Sequence, residues 1–260
     1  MRLDEVTVAI RPRGRLESID LGFALARANW QPVWKAWAVF VLPLMLLVNL
    51  FGYWYPGWVW FMLFWLKPFY DRIVLWVLSR AVFGAEISAH ELRRGLPQLL
   101  WHSELFRDLS YRRINLQRSF NLPVSQLERQ SGATRRSRLR LLYKGVLNAA
   151  QGLTLACVHF EFVLYWALFG LGVMIVPPEV ELELSDLFMM GGAPWWFEML
   201  GNLFYTFKIT VVEPFYVAGG FALYLNRRTW LEGWDLELAF RRMAERPSVP
   251  IVMPAPPRAA

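Results

Sequence analysis

Long apolar blocks are the feature that most constrains how this chain can fold. One block runs from Val211 to Arg228 and stops at two arginines, and others begin near Trp34, Trp58 and Val146. A helix needs about 20 apolar residues to cross a bilayer. The chain is 56% hydrophobic and contains 14 Trp, which is more apolar and richer in Trp than a soluble domain of its 260 residues. We therefore predict an all-α integral membrane protein.

Four transmembrane helices are predicted, arranged as two hairpin-like halves with amphipathic cytoplasmic and interfacial helices. The first span covers residues 34–55 and is kinked at Pro43, and the second covers 58–83 after a tight turn at Tyr55-Pro56-Gly57. The third covers 146–176. The fourth ends at Arg228, and its first part, up to Asn202, is predicted to form a separate interfacial helix. Aromatic residues at the ends of the first span suit the membrane surface.

The spans divide the chain into six segments. These are a cytoplasmic N-terminal arm with an amphipathic helix (1–33), a first transmembrane hairpin (34–83), a basic cytoplasmic helical region (84–144), a second transmembrane pair with an acidic outer loop at 177–194 (145–228), an amphipathic cytoplasmic helix (229–246) and a disordered tail (247–260). Residues 6–10 alternate as in an extended segment.

Local patterns give further expectations for three of these segments. The N-terminal helix, Leu16 to Trp30, has its apolar face at Ile19, Phe23 and Ala26, with Leu16 and Trp30 continuing it. Residues 131–140 (SGATRRSRLR) favour a flexible loop. Thr229 and Glu232 have the spacing of a capping box, which predicts a new helix beginning at Thr229.

Charge fixes the predicted orientation. Residues 84–144 are rich in arginine, whereas 177–194 contain four acidic residues and no Lys or Arg. The positive-inside rule then places both termini in the cytoplasm of a bacterial inner membrane. The net charge of +7 indicates contact with anionic lipid of the cytoplasmic leaflet. We expect no nucleic-acid binding, because no nucleic-acid motif accompanies the charge. We also expect no cleaved signal peptide.

Two proline-containing segments indicate an internal repeat. Lys67-Pro68-Phe69-Tyr70 aligns with Glu213-Pro214-Phe215-Tyr216, and a three-residue shift then aligns Gly84 with Gly233. Both copies are predicted to run from outside to inside, which would make the repeat parallel. The alternative is chance similarity between two apolar helices.

The repeat leads to a hypothesis about buried charge. It places Lys67 in one copy where the other has Glu213, and an unpaired charge in hydrocarbon is strongly unfavourable. We predict that Lys67 and Glu213 pair and lock the two halves together, and that Pro68 and Pro214 break their helices. Gly219 and Gly220 should let another helix approach closely. Asp71, Arg72, His159 and Glu161 are further intramembrane polar residues.

No sequence motif indicates a reaction. His159 and Glu161 are two residues apart and therefore point to different sides of a helix. His90-Glu91 lacks the second histidine of a metalloprotease motif, and no phosphate-binding loop or nucleophile motif is present. We predict no enzyme activity, no cofactor and no metal site, and favour polar packing of His159 and Glu161 over catalysis.

The C-terminal segment resembles a known group of bacterial proteins. Its matching pieces are Glu213-Pro214-Phe215-Tyr216, Leu223-Tyr224-Leu225, Arg227-Arg228 and Glu232-Gly233-Trp234-Asp235. They are similar to uncharacterised multi-span proteins loosely described as the membrane domain of glycerophosphoryl diester phosphodiesterases. The N-terminal VTVAIRPRGRLESIDLGFAL and the KPFYDR segment look like the proteobacterial branch, often encoded beside MoxR-type ATPase and transglutaminase-related proteins. The resemblance implies a multi-span fold. It implies no phosphodiesterase activity, because that activity resides in a separate soluble barrel.

Two classes of function follow from the sequence. The first is a non-enzymatic scaffold or accessory protein of a cell-envelope assembly, which binds a protein partner and anionic lipid through its basic helices. The second is a transporter or channel component. Its polar path would use Lys67, Asp71, Arg72, Glu161, Glu198, Lys208 and Glu213. We favour the scaffold, and a homo-oligomer with a hydrated interface would favour the transporter.

Overall fold

The computed structural model describes residues 11–85, 88, 90–91, 93–95, 105–110, 114–175 and 194–234. These residues are mostly helical, and they contain no β-strand. The helices are α1 (Arg15–Ala28), α2 (Trp30–Ala36), α3 (Leu42–Phe51), α4 (Pro56–Trp65), α5 (Lys67–Val82), α6 (Leu105–Leu109), α7 (Arg118–Gln126), α8 (Gly132–Leu142), α9 (Leu147–Ile175) and α10 (Trp195–Glu232).

Two helical stretches in the described residues are long and apolar enough to cross a membrane, namely Trp30–Phe51 and Leu147–Ile175. The first consists of α2, a π-helical turn at Trp37–Val41, and α3. Pro43 is the second residue of α3. Its ring would clash with the carbonyl four residues earlier, within the π-helical turn, and the wider turn relieves that clash. Pro43 therefore alters the helix at the site where the sequence predicts a kink.

The central element is α10, a helix of 38 residues that is about 57 Å long at 1.5 Å per residue. Helices α1, α5, α7 and α9 all pack against it. It ends at Gly233, whose φ of 62° is left-handed, a conformation that glycine adopts without steric cost. Gly84, the aligned residue after α5, has a φ of 65°. Both proline-containing segments thus end in the same way.

Several predictions about α10 are wrong. Pro214 lies inside an unbroken helix, because packing against neighbouring helices outweighs the loss of one backbone hydrogen bond. Residues 195–202 belong to the same helix and form no separate interfacial helix. Thr229 also lies inside it, and its hydroxyl donates to the Leu225 carbonyl instead of capping a new helix.

The second predicted span is not one continuous helix. It divides at Leu66 into α4 and α5, and Pro68 is the second residue of α5, where a missing backbone N–H costs least. The predicted break at Pro68 therefore lies within one turn of the boundary between α4 and α5. The same Pro-Phe-Tyr sequence begins a helix in one copy and continues a helix in the other.

Two predictions outside these helices are also wrong. Residues 131–140 form helix α8 rather than a flexible loop, because Leu139 and Leu142 bury one side of it. Helix α1 forms as predicted, but its buried face matches the predicted one only in part: Ser18, Gly22, Leu25 and Ala26 are buried, and the predicted Ile19 and Phe23 are partly buried. Leu16 and Trp30 are exposed.

Close approach to α10 explains which face of α1 is buried. A methyl group added at Gly22 would overlap the backbone of Ala218 and Gly219, so the two helices are nearly in backbone contact there. Such an approach requires small residues on both helices, and size rather than hydrophobicity therefore selects the face.

Some predictions fall outside the described residues. They are the extended segment at 6–10, the acidic loop at 177–194 apart from its last residue, the helix at 229–246 beyond Trp234, the tail at 247–260 and Asp235.

Candidate functional site: a buried charge network

The proline-bearing ends of α5 and α10 meet at a buried cluster of charged side chains. The Lys67 ammonium lies 2.7 Å from the Glu213 carboxylate and 2.5 Å from Glu161 on α9. Lys208, one and a half turns before Glu213 on α10, lies 3.5 Å from the other oxygen of Glu161. The structure thus brings Lys67 and Glu213 together, and it adds Glu161 as a second anion on the same lysine.

Arg118 is a part of this cluster that the sequence did not predict. Its Nε atom lies 2.7 Å from Asp71, and its NH2 atom donates to Glu213 at 2.7 Å. Arg118 is the first residue of α7, within the segment interpreted as a basic cytoplasmic region. One arginine of that region therefore lies inside the helical core.

We call Lys67, Arg118, Lys208, Asp71, Glu161 and Glu213 the central network. Its ion pairs join three cations to three anions, and all six residues have little exposed side chain. A buried charge is tolerated only when it is paired. The network is therefore electrically balanced by residues from four helices, α5, α7, α9 and α10.

The Arg118–Asp71 contact is short but poorly aligned. Neither Asp71 oxygen meets the geometric criteria of a hydrogen bond with a described residue, although the 2.7 Å distance places opposite charges in contact. We interpret it as an ionic contact. A cavity of about 10 Å³ lies against Asp71 and Arg118. That volume is near the lower limit of about 10–15 Å³ for one water molecule.

Arg72 forms a separate buried pair beside the network. Its NH2 atom donates to Asp108 of α6 at 2.6 Å, and its NH1 atom donates to the Pro68 carbonyl at 2.8 Å. The carbonyl of Pro68, at the helix break, therefore has a cationic donor. Two predicted polar residues, Asp71 and Arg72, are neighbours in sequence but have different partners.

Helix α7 reaches the core because α10 offers it a glycine. A methyl group at Gly220 would overlap the side chain and backbone of Ser119. Tyr216 of α10 also contacts both neighbouring helices. Its hydroxyl accepts from the Ser119 backbone amide of α7 at 3.3 Å and lies 3.2 Å from the Thr154 hydroxyl of α9. A methyl group at Gly219 would lie 3.0 Å from Leu153 and 3.3 Å from Phe23. Gly219 and Gly220 thus face different neighbours.

His159 and Glu161 separate as their spacing predicts. Glu161 is buried in the central network, whereas His159 is exposed on the outer side of α9. Glu198 lies near the other end of α10 and is half-buried. Within the described ranges, no group of three or more His, Cys, Asp or Glu side chains is placed to hold a metal ion.

The C-terminal signature forms a second ionic cluster at the end of α10. Arg228 binds Glu232 one turn later, and Arg138 of α8 bridges Glu232 and Glu128. The Tyr224 hydroxyl donates to Glu128 at 2.7 Å, and Arg228 lies 4.6 Å from the centre of the Trp234 ring. Arg227 is half-buried beside this cluster. The cluster fixes α8 against α10.

Burial alone would raise the pKa of the Glu232 carboxyl. Hydrogen bonds from Arg228 and Arg138 outweigh burial and hold the pKa of Glu232 below its ordinary value. Glu232 is therefore ionised at neutral pH, as its two cationic partners require.

A cavity of about 160 Å³ lies on the α9 side of the central network. Lys67, Arg118, Glu161, Thr154 and Tyr216 supply its polar wall. Its remaining lining residues are Phe64, Ile114, Asn115, Leu116, Cys157 and Val158. The cavity is therefore polar on one side and mainly apolar on the other.

In comparisons with known proteins, no family model, no curated protein and no solved structure matches this chain.

Proposed function

We propose that this protein is a non-enzymatic scaffold or accessory protein of a bacterial inner membrane. Its four passes are the Trp30–Phe51 stretch, the broken helix α4–α5, α9 and α10, with both termini in the cytoplasm. In this role the bundle holds a basic cytoplasmic surface beside a protein partner and anionic lipid. Membership of a cell-envelope assembly rests on analogy with the multi-span proteins that the C-terminal signature resembles.

The balanced charge of the central network is the observation that carries this proposal. A transport path needs polar groups that exchange partners with water or with a solute. Here three cations and three anions form ion pairs with one another across four helices. Such pairing supports a mechanical role, in which the network holds the helices in one arrangement.

Helix α8 offers the basic surface that the proposal requires. Arg129, Arg136, Arg140 and Lys144 are exposed on it or beside it, while Arg138 is held by Glu128 and Glu232. Each basic residue near an anionic leaflet contributes about 1 kcal/mol of attraction. Four such residues, two on the anchored helix α8 and two flanking it, favour a contact with lipid headgroups or an acidic partner.

The 160 Å³ cavity favours a second candidate, a transporter or channel component. The cavity reaches Lys67, Arg118 and Glu161, which belong to the polar path proposed from the sequence or extend it. In that case the network would be a gate rather than a lock, and its ion pairs would open during transport.

Flux measurements distinguish the two candidates. The purified protein is reconstituted in vesicles loaded with a self-quenching anionic dye or with a pH-sensitive dye. A scaffold predicts release and proton flux no faster than in protein-free vesicles. Flux that requires the protein and is changed by Lys67→Met would favour the transporter and contradict the scaffold.

The lipid contact is tested in nanodiscs of neutral lipid and of lipid containing about one-third phosphatidylglycerol. We expect anionic lipid to slow amide hydrogen exchange in residues 132–142, and Arg136→Gln with Arg140→Gln to abolish this change. Arg129→Gln with Lys144→Gln tests whether the flanking charges share the effect. Equal exchange in both lipids would contradict the proposed surface.

A further inference from the structure

The 160 Å³ cavity has the features of a binding site for an amphiphile. Its volume is many times the roughly 10–15 Å³ that one water requires. Four of its lining residues are exposed at the outer surface, with exposed fractions of 87% for Ile114, 55% for Val158, 41% for Leu116 and 38% for Phe64. The cavity thus extends from a charged interior to an apolar outer surface.

The charged wall has donors left over after the central network is formed. A lysine ammonium has three N–H donors, and among the described residues Lys67 contacts two carboxylates, Glu161 and Glu213. Arg118 uses its Nε and NH2 atoms in the network, and the structure gives its NH1 atom no partner among the described residues. The Asn115 side-chain oxygen accepts from the backbone amide of Gln117, and its side-chain nitrogen, which has no hydrogen-bond partner among the described residues, is a further donor.

The charges that line the cavity also differ from those of the whole network. Lys67 and Arg118 line it with Glu161, whereas Asp71 and Glu213 do not line it. Among the described residues, the wall therefore exposes two cations and one anion to the cavity, while Glu213 pairs with both cations from behind the wall. A phosphodiester monoanion in the cavity would face both cations and offer oxygen acceptors to the spare N–H groups.

We propose that the cavity binds the phosphodiester headgroup of a membrane phospholipid. The phosphate contacts Lys67 and Arg118, and the acyl chains leave past Phe64 and Val158 toward the outer surface. This inference rests on the membrane location in the proposed function and is independent of the scaffold role. The apolar outer surface favours a lipid over free phosphate, because acyl chains can bury apolar surface against it and inorganic phosphate cannot.

Thermal unfolding of the purified full-length protein in detergent tests the proposal. The probes are short-chain phosphatidylglycerol, diacylglycerol with the same chains, and inorganic phosphate at the same concentration. We expect phosphatidylglycerol alone to raise Tm in a saturable manner. Equal stabilisation by diacylglycerol would overturn the phosphate contact. Equal stabilisation by inorganic phosphate would overturn the lipid assignment.

Val158→Trp narrows the cavity mouth and replaces no residue of the charged network. Val163→Trp is the matched control, because Val163 is 49% exposed on the same helix and does not line the cavity. We expect Val158→Trp to weaken the apparent affinity for phosphatidylglycerol at least tenfold and Val163→Trp to leave it unchanged. Equal affinities of the two variants for phosphatidylglycerol would contradict a lipid site in this cavity. The flux and nanodisc experiments report on the scaffold separately, so either proposal can fail alone.

Discussion

Helices α9 and α5 have opposite distributions of polar and apolar residues. Helix α9 passes as a membrane span by length and apolarity, yet only 11% of its most apolar window is buried. Helix α5 contains Lys67, Asp71 and Arg72, and all three are buried. In water, an apolar helix would be inside and a charged helix outside. The reversal agrees with the proposed membrane location, in which lipid would solvate the apolar surface while the interior pairs the charges.

The largest expected effect comes from an arginine inside the bundle. Arg118→Met leaves Asp71 as a buried, unpaired carboxylate, and losing one partner of a buried ion pair typically costs about 3–5 kcal/mol. Unfolding by SDS titration in mixed micelles measures the loss of stability. The control is Arg136→Met on the exposed side of α8. Equal stability of the two variants would mean that Arg118 lies outside the core.

Replacing one leucine by alanine in α5 and one in α9 compares the two helices through the same change of side chain. Leu78 of α5 is 1% exposed and Leu155 of α9 is 57% exposed. We expect Leu78→Ala to cost about 2–5 kcal/mol because it leaves a cavity. Leu155→Ala should cost much less, because an exposed side chain leaves no internal cavity when it is truncated. The same SDS titration measures both, and a larger loss at Leu155 would place α9 rather than α5 in the interior.

Glycine substitutions make the same comparison through close packing. Gly22→Ala places a methyl group against the backbone of α10 and should cost about 1–3 kcal/mol, since the helices must separate. Gly152 lies on the exposed side of α9, and a methyl group added there would meet no atom within 4 Å. Gly152→Ala should therefore be neutral or slightly stabilising in the same SDS titration. A Gly22→Ala variant as stable as the wild type would contradict the contact between α1 and α10.

The smallest expected effect is at Glu232, where the ionic cluster is partly solvated. The pKa of Glu232 in the folded protein is lower than its ordinary value of 4.5. Its carboxylate therefore stabilises the fold at pH values above about 4.5, and this contribution is lost as the pH falls below that value and through the lowered pKa. Glu232→Gln should cost at most about 1 kcal/mol at pH 7. The difference from wild type should shrink below about pH 4.5. A constant difference down to pH 3 would contradict the ionic origin of the effect.

The sequence predicts the membrane-like composition, the long helices and the meeting of Lys67 with Glu213. It does not predict Arg118, because the arginine-rich region around it is already explained by cytoplasmic orientation. One signal was present: residues 119–127 (SFNLPVSQL) carry no charge within that otherwise basic region. An uncharged run of this kind is typical of a buried segment.

The behaviour of Pro214 and Thr229 depends on tertiary contacts that no local pattern contains. Pro68 begins a helix after Leu66, whereas Pro214 continues one that is packed on several sides. Likewise, Thr229 and Glu232 have the spacing of a cap, but Glu232 instead binds Arg228 and Arg138. Local propensity is a weak predictor when neighbouring helices supply the stronger interaction.

If Lys67 and Glu213 formed an isolated pair, exchanging their two charges would be expected to rescue the single variants, but both residues have further charged partners. Lys67→Glu would place a carboxylate beside Glu161, and Glu213→Lys would place an ammonium beside Arg118. The double swap therefore creates two like-charge contacts and should not rescue the single variants. Neutral replacement is the better design, since removing both charges leaves the pairs Lys208–Glu161 and Arg118–Asp71 intact.

A double-mutant cycle with Lys67→Met and Glu213→Gln tests the central network most directly. Each single variant leaves one unbalanced buried charge and should lose about 3–5 kcal/mol, whereas the double variant should lose much less than their sum. We expect a coupling energy of at least about 2 kcal/mol in SDS titration. Additive losses would show that the two charges do not interact, and would contradict the charge-locked bundle.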